Sequence, residues 1–364
     1  MNVIEEYIFQ QHLGNLNTKW EKFSKEVKSL QTPETFSILY ATDIHYIRKY
    51  ANYIPSYYKV KEMVEFSKYA GFDLLAITGD IVDGNTTIDR QKRDLYDLIS
   101  LIREAKTTSV LISKGNHDDN SWYAYKNNMG IESVISPEEW YAHVVNPIRV
   151  QYPIVLDKDN IAGGYYYIDY PLHKIRVINL NTNDTVCVLN KEGKIIKEHC
   201  GLWNMGLQEK QLKWLTDALK FDESGWAVMI MSHDFLLKQD ISGERLRNGS
   251  LAWEIIKAYR DRNKGVVRSD EKYYEAEVHY DFTGNKSNEI LPYLYGHIHR
   301  DDATVVDGIV AIGTKNMLGK PEMEWDEADL EIEGGWDCIL VDRKNRIWQS
   351  RRYGIKNAER KIYY

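Results

Sequence analysis

Three short apolar runs in the first third of the chain each stop at a polar turn, and helical spacing separates them. Ser37–Thr42 stops at Asp43-Ile44-His45, Phe72–Ile77 at Thr78-Gly79-Asp80, and Ser109–Ser113 at Lys114-Gly115-Asn116-His117. A helix is expected near Tyr58–Tyr69, and Leu95, Leu98 and Ile102 share one face of a second over Arg90–Ala105. Continuous apolar runs of this length read as strands buried on both faces. Strand, helix, strand, helix, strand implies a parallel sheet covered by helices. Ligands of such sheets bind beyond the carboxyl ends of the strands. All three polar turns fall there.

The second half repeats this logic with more β character. Gly164–Tyr170 and Lys174–Leu180 read as neighbouring strands, and Leu207–Leu219 as a helix. Trp226–Met231 reads as a strand ending at Ser232-His233, and Ile290–Tyr295 as one ending at Gly296-His297-Ile298-His299. Val305–Ile312 and Trp336–Val341 read as closing strands. The connection from Asp234 to Glu289 is long, with a helix near Leu251–Tyr259 and a tyrosine-rich stretch, Tyr273–Phe282. This 234–289 insertion is expected to shape a substrate site.

Residues 1–33 read as an N-terminal helical extension. Leu16, Trp20, Phe23, Val27 and Leu30 share one face, and Pro33 ends the pattern. Packing on its own domain is the preferred reading, with a homo-oligomer seam as the alternative. Residues 34–350 form the expected catalytic domain. Residues 351–364 read as a surface tail with solvated charges.

The net charge of −7 gives no general attraction to nucleic acid or anionic lipid, which disfavours both as partners. A hydrophobic fraction of 43% with 28% charged residues fits a soluble globular chain, and no apolar run reaches membrane-span length. The three cysteines, Cys187, Cys200 and Cys338, are widely spaced and form no Cys-x-x-Cys pair. That disfavours a disulfide framework or a thiolate metal site. With no basic, apolar leader at Met1–Glu6, a cytoplasmic setting is expected.

The polar turns supply aspartate, asparagine and histidine, the donors preferred by divalent cations that act on phosphate. Asp43 and His45, two apart on an extended strand end, point the same way. The Asp80 carboxylate suits a bridge between two cations. Asn116 adds an amide oxygen, and His233, His297 and His299 add imidazoles. His117 is not needed as a ligand and is the candidate proton donor to a leaving alkoxide. A carboxylate would hold its tautomer; Asp83 is favoured for this and Asp118 less so. Asn85, Lys114, Asn183, Trp203 and Arg300 are candidate substrate contacts.

The ordered set Asp-x-His, Gly-Asp-x-x-Asp, Gly-Asn-His-Asp, His and Gly-His-x-His resembles the calcineurin-like metallophosphoesterases from about Thr35 to Val341. Gly206-Leu207, Gln211-Leu212 and Trp214-Leu215 resemble that family's helix before the histidine matched by His233. The resemblance implies a four-layer α/β/β/α sandwich with two divalent cations at its top, Mn²⁺ or an Fe/Zn-type pair. It assigns Asp43, His45, Asp80 and His299 to one cation, and Asp80, Asn116, His233 and His297 to the other. It further implies attack on phosphorus by a bridging hydroxide, with His117 assisting the leaving group. The expected substrate is a phosphodiester or phosphomonoester of a small or nucleotide-like molecule. A nuclease and a non-catalytic metal-binding scaffold are the alternatives. Two departures stand out. Gly84 occupies the place where phosphoprotein phosphatases of this superfamily carry a phosphate-gripping Arg, for which Arg300 or Lys114 would have to substitute. Ser232-His233-Asp234 lacks the second His or Pro that often follows in relatives.

Overall fold

The structure, a computed structural model, describes residues 19–46, 54–199, 201–237, 245–318, 334–354 and 358–364. Residues 19–30 form helix α1. The expected alternation follows: β1 (Phe36–Ala41), α2 (Ile54–Phe66), β2 (Phe72–Thr78), α3 (Ile88–Ile102) and β3 (Thr107–Ser113). Short helices α4 (Ser121–Lys126), α5 (Pro137–Trp140) and α6 (Asn146–Gln151) lead into β4 (Val155–Leu156), β5 (Tyr166–Tyr170) and β6 (Ile175–Asn179). Next come β7 (Asn204–Gly206), α7 (Glu209–Ala218) and β8 (Ala227–Ser232), then β9 (Arg245–Arg247), α8 (Gly249–Asp261) and a hairpin of β10 (Lys264–Ser269) and β11 (Ala276–Asp281). The chain ends with β12 (Glu289–Ile290), β13 (Tyr293–Tyr295), β14 (Asp302–Val306), β15 (Ile309–Gly313), β16 (Gly335–Asp342), β17 (Ile347–Gly354) and β18 (Glu359–Tyr363).

Two large sheets result. One has the order β18-β17-β16-β1-β2-β3, with β1, β2 and β3 parallel. The other runs β14-β15-β13-β8-β6-β5-β4, and its β15, β13, β8 and β6 are parallel. Alternation along the second sheet divides its side chains. Val177, Met229 and Met231 join the core that contains β1, β2, β3, α2 and α3, whereas Ile178, Val228 and Ile230 lie in the core beneath α7 and α8. Hydrogen bonds tie the sheets together near their carboxyl ends. Tyr40 Oη donates to the Tyr295 carbonyl at 3.2 Å, and Ser113 Oγ donates to Asn179 Oδ1 at 2.6 Å. Buried polar groups paired in this way fix one sheet against the other without leaving an unsatisfied partner.

Helix α1 spends its apolar face inside the chain. Trp20 and Val27 are buried in the larger core; the Trp20 ring lies 5.6 Å edge-on from Tyr69, and Phe23 lies 6.0 Å from Trp336. Trp20 and Val27 are thus taken up within the chain itself. Leu16 lies outside the described residues.

Three readings need correction. The described residues of 351–364 are not a solvated tail: β17 and β18 extend the first sheet, and the Arg352 guanidinium is buried between Asp301 and Asp337. Val305–Ile312 is not one strand but parts of β14 and β15, which reverse at Asp307 and Gly308, both left-handed (φ 50° and 76°). An Asp-Gly pair with two positive φ angles suits a tight hairpin turn. Ile290–Tyr295 is divided into β12 and β13, which both pair with β8 on either side of Leu291 and Pro292; proline has no N–H for a ladder.

Candidate metal centre

The donor residues stand just beyond parallel strand ends: Asp43 and His45 after β1, Asp80 after β2, Asn116 and His117 after β3, His233 after β8, and His297 and His299 after β13. Five of them are left-handed, with φ of 52° at Asp43, 48° at His45, 48° at Asp80, 66° at His297 and 53° at His299. This conformation costs an L-residue roughly 1–2 kcal/mol. It turns side chains that would otherwise continue the strand's alternation toward one point. Hydrogen bonds hold the turns: Asp43 N–H donates to the Gly79 carbonyl (3.1 Å), His45 N–H to the Asp80 carbonyl (2.8 Å), and His297 N–H to Asp43 Oδ2 (2.9 Å).

Two donor groups converge. In the first, His45 Nε2 lies 3.1 Å from His299 Nε2, and His299 Nε2 lies 3.2 Å from Asp43 Oδ1. In the second, His233 Nε2 lies 2.8 Å from Asn116 Oδ1, 3.2 Å from Asp80 Oδ2 and 3.3 Å from His297 Nδ1. Asp80 Oδ2 is also 3.6 Å from His45 Nε2, which places it between the groups. The donor chemistry fits divalent cations. His233 Nδ1 faces the Thr78 carbonyl at 2.8 Å and can only donate there, so Nε2 is the atom turned toward the Asn116 oxygen, and loss of its proton would free a lone pair for a cation. The Asn116 amide nitrogen donates to the Leu202 carbonyl at 3.3 Å, which fixes that oxygen as an acceptor. Asp43 Oδ1 is buried and accepts no hydrogen bond among the described residues. Imidazole nitrogens, an amide oxygen and buried carboxylate oxygens turned to one place are the donor set that a divalent cation takes once the imidazoles give up their protons.

The titration of the cluster shows the same field. Burial pushes the Asp80 carboxyl up, but His233 and His117 hold it well below its ordinary range. Burial also opposes ionisation of Asp43, and His299 overrides it, leaving this carboxyl below its ordinary range. Burial would lower His233, yet Asp80 raises it well above its usual value. His45 goes the other way: burial and the neighbouring His117 lower it to about 3, despite Asp80 and Asp43.

His117 packs edge-on against His45, with ring centroids 4.6 Å apart, and its backbone N–H donates to Asp80 Oδ1 at 2.9 Å. The expected carboxylate partner is replaced by a carbonyl. His117 Nδ1 lies 2.7 Å from the Asp83 backbone oxygen, while Asp83 Oδ1 lies 3.8 Å from His45 Nδ1. Burial raises the Asp83 carboxyl above its ordinary value. Asp118 braces the loops instead, accepting the N–H groups of Gly115 (2.7 Å) and Val82 (3.1 Å); burial and Asp80 raise its carboxyl to about 8.

Lys114 and Asn183 come together, both buried, with Lys114 Nζ donating to the Asn183 carbonyl at 3.3 Å. Trp203 is half-buried, edge-on to Trp122 at 5.9 Å, and next to the Leu202 carbonyl that binds Asn116. Asn85 is half-buried in the loop after Asp83, and Arg300 is exposed beside His299. Gly84 has φ of 65°, and a Cβ there would collide with the His117 carbonyl oxygen, so an Arg cannot take its place in this loop.

Sequence reasoning missed two further partners. Asp234 Oδ1 lies 3.5 Å from His297 Nε2, and the Asn316 side-chain amide lies 3.4 Å from His299 Nδ1. For Asp234 the signal was its place directly after His233, noticed only as a departure from relatives. Asn316 carried no local signal.

The family model for calcineurin-like phosphoesterases matches residues 36–301, and the chain belongs to that family. It is a metal-dependent phosphoesterase, and the family implies a dinuclear divalent centre. A dimetal phosphatase from Danio rerio is similar at 14% identity, covering 90% of this chain and 99% of its own, with a TM-score of 0.58, and shares the fold. A Thermus thermophilus protein, TT1561, aligns at 10% identity over 87% of this chain and 98% of its own, with a TM-score of 0.43. The phosphopantetheinyl hydrolase of Mycobacterium tuberculosis aligns at 11% identity over 78% and 91%, with a TM-score of 0.39. A comparison with curated proteins gives no match. Among the described residues no helix is long and apolar enough to cross a membrane.

Proposed function

We propose that the chain hydrolyses phosphoric esters of small or nucleotide-like molecules, diesters or monoesters, at a two-cation centre. Asp43, His45 and His299 would hold one cation, Asn116, His233 and His297 the other, and Asp80 both. The observation that carries this reading is the convergence of two donor groups on Asp80, whose Oδ2 lies 3.6 Å from His45 Nε2 and 3.2 Å from His233 Nε2. When bound, a pair of Mn²⁺ ions or an Fe/Zn-type pair supplies Lewis-acid stabilisation of phosphoryl oxygens and acidifies the attacking water. We read the layers as α2 and α3, the first sheet, the second sheet, and α7 and α8, a four-layer α/β/β/α sandwich.

The chain's own residues do the remaining work. His117 Nδ1–H donates to the Asp83 carbonyl, so the imidazolium form would give its Nε2 proton to the departing oxygen and return to the neutral Nδ1–H tautomer. The Asp83 carboxylate faces His45 Nδ1 and turns the opposite ring nitrogen toward Asp80. Lys114 and Asn183, beside the second donor group, Trp203 next to Leu202, Asn85 in the Asp83 loop and Arg300 at the exposed edge would contact substrate.

Chelator-treated protein supplied again with Mn²⁺ and offered p-nitrophenyl phosphate or its bis ester tests this reading and separates monoesterase from diesterase. Asp80→Asn is expected to abolish metal retention and turnover. His117→Ala should keep the metals and slow release of a poor leaving group by about 10²–10⁴-fold. Undiminished turnover by metal-free protein would refute the reading. Metal retention with no turnover on any ester would favour the scaffold alternative, and cleavage confined to polynucleotides the nuclease.

A further inference from the structure

Each histidine of the two donor groups needs its second ring nitrogen occupied if the first is to face a cation in a fixed orientation. His233 uses the Thr78 carbonyl for this, and His45 faces Asp83. His297 presents Nδ1 to the second group, 3.3 Å from His233 Nε2, so its Nε2 is the outward atom. That atom lies 3.5 Å from Asp234 Oδ1.

Asp234 is built for one task. Its side chain is buried, and Oδ2 accepts from Thr182 Oγ1 at 2.8 Å and Asn183 Nδ2 at 3.4 Å. Its backbone is held as well: the N–H donates to Thr182 Oγ1 (3.3 Å), and the carbonyl accepts from Ser232 Oγ (2.5 Å). With Oδ2 tied to the loop after β6, Oδ1 is the oxygen left over, and it accepts no hydrogen bond among the described residues. A buried carboxylate oxygen without a donor costs about 1–3 kcal/mol or more. An N–H on His297 Nε2 would relieve that cost and keep the Nδ1 lone pair facing the second donor group.

We propose that Asp234 is a positioning residue for the second cation: it fixes His297 in the Nε2–H tautomer and orientation that turns Nδ1 toward His233, Asn116 and Asp80. This rests on the two-cation reading above. Loss of the carboxylate would therefore weaken one cation and spare the other.

Calorimetric titration of Mn²⁺ into chelator-treated full-length protein tests this without using activity. Wild type is expected to show two sites. Asp234→Asn should weaken one of them by about 10–100-fold and leave the other within about twofold, with the urea midpoint of the metal-free protein nearly unchanged. Thr182→Val, which loosens the carboxylate but keeps its charge, should weaken the same site by a smaller factor, and carries the test if Asp234→Asn does not fold. Equal weakening of both sites, or wild-type affinity in both folded variants, overturns the proposal. A wild-type protein that binds no pair of cations overturns the two-cation reading instead, so the failures are distinguishable.

Discussion

Replacement of Arg352 by Met should be among the most damaging single changes far from the donor atoms. The guanidinium is 2% exposed. It donates from Nη1 to Asp301 Oδ2 at 2.8 Å, from Nη2 to Asp301 Oδ1 at 2.7 Å, and from Nη2 and Nε to Asp337 Oδ2 at 2.9 and 3.3 Å. Methionine fills much of the volume but leaves the Asp337 side chain, 3% exposed, as a buried charge without its partner. Removing one member of such a pair costs about 3–5 kcal/mol. Asp301 is 36% exposed and can turn to water, so its share of the loss is only about 0–1 kcal/mol. The expected total is therefore about 3–5 kcal/mol, and Asp301→Asn alone should cost about 1 kcal/mol or less.

Urea unfolding of the metal-free variants at neutral pH measures both values. Acid adds a second signature. Burial raises the Asp301 carboxyl, but Arg352 and Arg360 hold it below its ordinary range. Its stabilising share is thus present above the unfolded value of about 3.9 and is lost as pH falls through the lower folded value. Arg352→Met should remove most of that acid dependence. A loss below about 1 kcal/mol, or an unchanged acid limb, would refute the claim that β17 anchors the loop after His299 through a buried ion pair.

Gly84→Ala meets the His117 carbonyl and an unfavourable φ of 65°, and should cost at least about 1–2 kcal/mol while slowing turnover; a neutral variant by urea midpoint and kcat contradicts this. Trp20→Ala, at a side chain 1% exposed, should cost about 3–5 kcal/mol without changing the sedimentation behaviour of the folded protein, because α1 packs on its own chain. His173 Nε2 lies 3.4 Å from Asp73 Oδ1, and that contact raises the imidazole above its ordinary value. Its contribution is complete below about pH 6.5 and declines as pH rises through the higher folded value, so the stability gap between wild type and His173→Gln should narrow from there upward. A gap that widens with pH would show the sign to be wrong.

The sequence by itself determined which residues end the strands. Asp43, Asp80, Asn116, His233 and His297 were legible because continuous apolar runs break there, and a break at the carboxyl end of a parallel strand is a local property. The β1-α2-β2-α3-β3 alternation was legible for the same reason. The packing side of α1 followed from its 3.6-residue period, and the structure buries Trp20 and Val27 accordingly.

Only the tertiary structure decided what those residues touch. The partner of His117 is a backbone carbonyl, which no side-chain pattern announces. The left-handed turns that bring Asp43, His45, Asp80, His297 and His299 together carry little of the usual Gly or Asn signal, since the strain is held by hydrogen bonds from neighbouring strands. Asp234 meets His297, and Arg352 meets Asp301, across separations in sequence that local spacing cannot encode. Those meetings depend on sheet order: β13 lies beside β8, which brings the loops of His297 and Asp234 together, and β17 and β18 complete the first sheet rather than trailing into solvent. Strand pairing is set by burial summed over both sheets, and so it placed the supporting residues that the order of motifs left open.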